Sequence, residues 1–333
     1  MLPRVLVAAA ILVLLAGAEP AGADPARPTD YRSEVTSVDP ATEDIEIRVV
    51  GGDAFLQVEA EPGHEVVVLG YQDEPYVRIA PEGTVDRNLR SQATYINDDR
   101  YGGGAIPPDV DPDAEPRWET VDDDGEYTWH DHRIHWMSPE RPPGHAPGDV
   151  ISVSGLDDWT VPLAVDGSPV VVHGTLRWEE GTTPALWFGA AAAVAAALAL
   201  AARGRTLAPI AAALAVAAAA AMVVGAAEYA AIPAGAGGSP VEVAVPAAAL
   251  AAALVALWRR RHTSGAVAAL ASLALLAGWA LLRIEVLLRP VLPTDLAPGL
   301  DRAGTVVALG VAVAAAVHAV RHLAAAQSAR VSM

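Results

Sequence analysis

The chain has 333 residues, no cysteine and no lysine; its 22 basic residues are all arginine, set against 40 acidic ones for a net charge of −18. Without cysteine, disulfides, thiolate metal sites and cysteine nucleophiles are excluded. Acidity is concentrated between residues 24 and 183, which hold 34 Asp and Glu against 11 Arg; this excludes nucleic acid as a partner and argues against that part docking onto anionic lipid.

Residues 1–23, MLPRVLVAAAILVLLAGAEPAGA, combine Arg4, an apolar run over 5–17 and the small residues Ala21, Gly22 and Ala23. This is the form of a secretory signal peptide, whose cleavage leaves a mature chain starting at Asp24 outside the cytoplasm. An uncleaved amino-terminal anchor is the alternative.

Residues 24–183 carry strand signals throughout. DIEIRVV (44–50) and AFLQVEA (54–60) alternate on either side of a GGD turn. EVVVLGY (65–71), PYVRIA (75–80) and EYTWHDHRIHW (126–136) are strands bounded by turn signals, and WTVPLAVD with PVVVHGTLRW predicts a last hairpin around Gly167-Ser168. Short strands with such frequent turns predict an immunoglobulin-like antiparallel β-sandwich. No amphipathic helix of useful length precedes residue 184, and 102–117 and 138–148 read as loops.

The densest chemistry is WHDHRIHWM, residues 129–137. As a strand it places His130, His132, Ile134 and Trp136 on one face and Trp129, Asp131, Arg133 and His135 on the other. Neither face is cleanly apolar, and such conflicts concentrate at functional or strained sites. His130 and His132, roughly 7 Å apart at Cα on one face, suit two ligands of one zinc or copper ion. His135, His145, His64, His173 or a carboxylate could complete the set; Met137 adds a soft ligand for Cu(I), and Asp131 could orient a ligating ring. The alternative is structural: Asp131 pairs with Arg133, the imidazoles bond to carbonyls, and Trp129 and Trp136 pack at the sandwich edge. A hydrolytic site has little support, because Ser138, Ser152 and Ser154 sit in no nucleophile elbow.

Two other polar stretches read more simply. DVDPDAE (109–115) fails as a calcium loop because Ala114 replaces the required glycine and Pro112 lies inside. Asn97, Asp98, Asp99 and Arg100 suggest a turn with a paired arginine.

From residue 184 the composition turns to Ala, Leu and Val. Five candidate spans, 184–202, 207–232, 241–258, 264–288 and 303–320, are each near the ~20 residues that cross a bilayer core. They define a transmembrane domain over 184–322 and a tail over 323–333. Arginines follow spans one (Arg203, Arg205), three (Arg259 to Arg261) and five (Arg321, Arg330), which puts those connections and the carboxyl end in the cytoplasm. Abundant alanine predicts a compact bundle. Glu228, Arg283 and Glu285 lie near outer span ends and are read as snorkelling anchors, with an ion path as the alternative, and Glu285 and Arg289 are spaced to pair along a helix.

The run from GYQDEPYVRIAPEG through SQATYINDDRYGG to YTWHDHRIHWM resembles a family of uncharacterised membrane proteins of actinobacteria and related GC-rich bacteria. The resemblance implies an exported β-domain followed by a membrane bundle, and no activity. A weaker architectural likeness is to CopC-type copper-handling envelope proteins, in which a small β-sandwich lies outside the membrane. Their ligands often include a histidine near the mature amino terminus, whereas the first histidine after Asp24 here is His64.

Together these features predict an exported β-sandwich on a five-helix bundle in the cell membrane, non-enzymatic, handling or sensing copper or zinc at the envelope. An envelope interaction or scaffold protein with a structural HDHRIH segment is the alternative. The expected partners are the lipid membrane and a metal ion or an envelope protein.

Overall fold

A computed structural model describes residues 25–331 except 139, 154, 156, 204, 205, 234 and 235. The expected signal peptide, residues 1–23, lies outside the described residues.

The amino-terminal part is an antiparallel β-sandwich. Its strands are β1 (Tyr31–Asp39), β2 (Ile45–Val50), β3 (Phe55–Ala60), β4 (Val66–Leu69), β5 (Pro75–Ile79), β6 (Val85–Asn88), β7 (Trp118–Asp122), β8 (Glu126–Trp129), β9 (Val150–Ile151), β10 (Asp158–Val165) and β11 (Ser168–Trp178), with a single helical turn, α1 (Ala93–Ile96), after β6. The larger sheet runs β1-β11-β10-β4-β5-β6-β7, with β9 also on β11; the smaller runs β2-β3-β8. Between the sheets lies an apolar core that includes Leu56, Val58, Val68, Tyr76, Ile79, Val161, Leu163, Val172 and Leu176. Alternation puts it there: Trp159, Val161, Leu163 and Val165 of β10 are buried, every second residue.

The last hairpin turns one residue earlier than the sequence reading. Val165 pairs with Ser168, so Asp166 and Gly167 form the turn, both with positive φ (49° and 74°). That is the backbone of a two-residue type I′ hairpin, which favours Asp-Gly.

The larger difference concerns β8. It ends at Trp129 instead of continuing through Trp136. Asp131 ends it: its carboxylate accepts the Arg133 N–H at 3.0 Å, and its carbonyl accepts the Ile134 N–H at 3.1 Å. A side chain that captures the backbone two residues on replaces the ladder by a turn.

The carboxyl-terminal part is a bundle of five helices, α2 (Pro184–Ala201), α3 (Ala208–Ala231), α4 (Val241–Trp258), α5 (Thr263–Leu282) and α6 (Pro298–Val331), each long and apolar enough to cross a membrane. A 3₁₀ turn, Ile284–Leu287, follows α5. Helix α6 packs on α2, α3 and α5, and runs on through the residues expected to form a tail. Pro246 in α4 lacks the N–H that would bond the Glu242 carbonyl. Gly225 of α3 approaches that carbonyl so closely that any Cβ would collide with it, so α3 and α4 cross tightly there.

The two parts are joined at one end of the bundle. Thr29 and Val291 exchange both backbone hydrogen bonds, at 3.0 and 3.1 Å. Arg289 pairs with Asp30, not with Glu285, and the Thr182 hydroxyl donates to the carbonyls of Leu287 and Leu288. The turn between β2 and β3 adds an apolar contact: Val50, Ala54 and Phe55 cluster with Ala26, Ile232 and Ala236. Gly51 and Gly52 make this turn with φ of 71° and 86°, against Ala26 and Val291. The connections carrying Arg203 and Arg259 to Arg261 lie at the other end of the bundle, because the helices alternate in direction from Pro184.

Arg283 does not snorkel. It is buried at 4% exposure and held by Asp301 (2.8 and 3.0 Å), Glu242 (3.2 Å) and Glu228, over the Trp279 ring. A buried guanidinium needs such compensation.

Because the sandwich core is drawn from residues 31–178, residues 25–183 expressed alone should fold without reductant or oxidant. Far-ultraviolet circular dichroism should show a predominantly β spectrum with cooperative unfolding; a helix-dominated spectrum would contradict this domain division.

Candidate functional site

The turn after β8 gathers most of the expected site residues into a buried hydrogen-bonded knot. Asp131 is fully buried and takes bonds from the Trp129 indole N–H (2.8 Å), the Arg133 backbone N–H (3.0 Å) and the Arg133 guanidinium (2.6 and 2.8 Å). Burial alone would raise its pKa, but the charge and bonds of Arg133 outweigh burial and hold the carboxyl below its ordinary value. The guanidinium also donates to the Leu69 carbonyl and lies 5.0 Å from the Tyr71 ring centre. Removing either partner of such a pair strands a buried charge, at a cost of about 3–5 kcal/mol.

The histidines have separate duties. His130 is fully buried, stacked on Phe55 at 4.2 Å, with Nδ1 2.7 Å from the Ala54 carbonyl. His132 is half-buried; its backbone N–H donates to the Tyr71 hydroxyl (3.0 Å), and its Nε2 lies 2.9 Å from the Asp99 carbonyl. His135 is fully buried, and its ring centre is 5.4 Å from that of His132. His145 stands apart in the 138–148 loop, with Nδ1 3.0 Å from the Pro143 carbonyl. Met137 is exposed. His64 bonds Asp166, and His173 lies in β11 opposite Thr160 and Ser37. The structure therefore brings His132 and His135 together, while His130 and His132 do not share a strand face. Among the described residues no group of three or more His, Asp or Glu is arranged to hold a metal ion.

Arg100 links the knot to the bundle. Its guanidinium lies 2.7 Å from the carboxylate of Asp53, which is fully buried in the β2–β3 turn. Burial raises the Asp53 pKa, and Arg100 and Thr29 offset this only in part. Arg100 is the paired arginine expected from NDDR; its partner, some 50 positions away in sequence, carries no local signal. His130 grips the same turn through Ala54 and Phe55, and Thr29 and Phe55 both meet the bundle. One turn is thus held by the knot on one side and by the membrane helices on the other.

These features define a class: a multi-pass membrane protein with an amino-terminal antiparallel β-sandwich docked on one end of a five-helix bundle. Comparisons with family models, curated proteins and solved structures found no match.

Burial, followed by the charges of Arg100 and His132, lowers the His135 pKa to about 3. The folded protein therefore refuses a proton that the unfolded chain accepts below pH ~6.5. Its contribution to stability is complete above that pH and is lost as pH falls toward 3. Between pH 7 and 5 the wild type should lose about 2 kcal/mol more than His135→Leu. Guanidinium unfolding of the full chain in detergent, followed by tryptophan fluorescence, measures the difference; equal losses would contradict it.

Proposed function

We propose that this is a non-enzymatic envelope interaction protein, which holds an acidic β-sandwich at a fixed orientation outside the cytoplasm on a five-span anchor in the cell membrane. What carries the reading is the use made of the HDHRIH segment. Asp131 and Arg133 saturate each other, His130 is spent on Ala54 and Phe55, and His132 on Asp99. These bonds brace the turn that docks on the bundle, so the segment supports placement of the domain and leaves no set of convergent ligands. Residues 24–183 carry 34 acidic residues against 11 arginines, a charge balance that suits a cationic or basic partner in the envelope.

The orientation rests on arginine. The connection Arg259 to Arg261 lies at the end away from the β-domain, and positive connections belong in the cytoplasm. This supports an orientation with the sandwich outside and the carboxyl end inside.

One observation favours a second reading, the handling of copper or zinc. Nε2 of buried His135 makes no hydrogen bond among the described residues, and the His132 ring lies beside it. The low pKa keeps His135 in the neutral form that ligates metal. If a metal binds, this pair replaces His130 and His132 as its first ligands.

Two measurements test the proposal. A reporter active only in the cytoplasm should work when fused after residue 260 and fail after residue 236. Activity only at 236 would reverse the orientation. Calorimetric titration of the full chain with Cu(II) and Zn(II) should show nothing tighter than millimolar. Saturation near one metal per chain, abolished by His132→Ala with His135→Ala, would replace the interaction reading by metal handling.

A further inference from the structure

The end of the bundle away from the β-domain has a charge pattern of its own. The five carboxylates of residues 184–333 are Glu228, Glu242, Glu285, Asp295 and Asp301. All lie at helix ends or connections on the β-domain side. The opposite end carries Arg203, Arg259, Arg260, Arg261 and Arg321 with His262, His318 and His322, and no carboxylate. Its cations therefore have no counter-charge in the bundle itself, whereas Arg283 at the other end is surrounded by three.

These cations border a cavity. A space of about 710 Å³ lies between α3, α5 and α6. Its interior is aliphatic, with Ile210, Leu214, Ala269, Leu270 and Leu273 among the walls. Arg260, Arg261 and His262, all exposed, line its mouth, with His322 half-buried and His318 buried further in. His318 and His322 are one turn apart on α6, with ring centres separated by 4.4 Å. The amino-terminal residues of α3 and α5, Ala208 and Thr263, also line it, and free N–H groups at helix starts favour an anion.

Depth is marked by Trp258, which is 74% exposed at the end of α4 with Arg259 stacked on it at 4.7 Å. Exposed tryptophan at a span end sits at the headgroup level of a bilayer. The basic mouth is then at headgroup depth and the aliphatic interior at acyl depth. The volume is within the roughly 300–1,000 Å³ range of small-molecule sites.

We propose that this cavity binds an anionic phospholipid, with an acyl chain between α3, α5 and α6 and the phosphate held by Arg260, Arg261 and His262. The inference does not depend on the function of the β-domain. It explains in one step why the cavity is apolar inside, why its rim is uncompensated and why both lie at the membrane surface.

The test uses the full chain in mixed micelles containing equal amounts of phosphatidylglycerol and phosphatidylcholine with matched chains. Native mass spectrometry should show one phosphatidylglycerol retained in preference to phosphatidylcholine. Arg260→Gln with Arg261→Gln, both exposed on a turn, should reduce that preference by roughly tenfold. Ala319→Trp, which fills the cavity while leaving the arginines in place, should reduce retention similarly; Ala266→Trp serves if that variant does not fold. Excess inorganic phosphate should not displace the lipid. Equal retention of the two lipids, undiminished retention in the tryptophan variants, or displacement by phosphate would each overturn the proposal.

Discussion

The fold depends on one short turn. Residues 51–55 of the β2–β3 hairpin are held from within the sandwich by Arg100 on Asp53 and by His130 on Ala54 and Phe55, and from outside by the bundle. Asp53 could not be buried there without Arg100, since an unpaired carboxylate in an apolar setting costs several kcal/mol. Gly51 and Gly52 let the turn lie flat against Ala26 and Val291, where a Cβ would intrude. The backbone bridge between Thr29 and Val291 then fixes the orientation of the sandwich on the helices.

From this constraint the role of the histidine-rich segment follows. Three histidines, an aspartate and an arginine in six residues resemble a binding site, yet Asp131, Arg133, His130 and His132 all serve the interior of the domain. Asp131 terminates β8 and anchors Arg133; the resulting turn delivers His130 to Ala54 and His132 to Asp99. With Tyr71 and Asn97 joined to the same knot, the network is nearly closed. A closed polar network specifies one arrangement of the chain, and a partly open one would be costly. Among the described residues, Nε2 of His135 is left without a hydrogen bond.

Much of the architecture was legible in the residues. Five apolar runs announce five helices, and the alternation in DIEIRVV, AFLQVEA and WTVPLAVD announces strands of the sandwich. What stayed hidden has a common physical cause: partners distant in sequence. β1 and β7 bury few side chains and are held mainly by ladder bonds to β11 and β6, so they carry little hydrophobic periodicity. β8 is shorter than the strand propensity of YTWHDHRIHW suggests because the local capture of backbone by Asp131 overrides that propensity. Arg283 looks like a snorkelling residue until Asp301 and Glu242, in the first turns of other helices, close around it. Of the candidate site, the composition of the knot was visible, but its direction of action, toward Ala54 and Asp99, was not.

The Thr29–Val291 bridge fixes the sandwich to the bundle. The absence of cysteine allows a direct test. In a hydrogen-bonded antiparallel pair the Cα atoms lie about 5.5 Å apart, within the span of a disulfide. The double variant Thr29→Cys, Val291→Cys, expressed as the full chain in membranes and mildly oxidised, should form that intrachain disulfide nearly completely and leave no thiol for a maleimide reagent. Two thiols that both remain free to label under the same conditions would contradict a fixed junction.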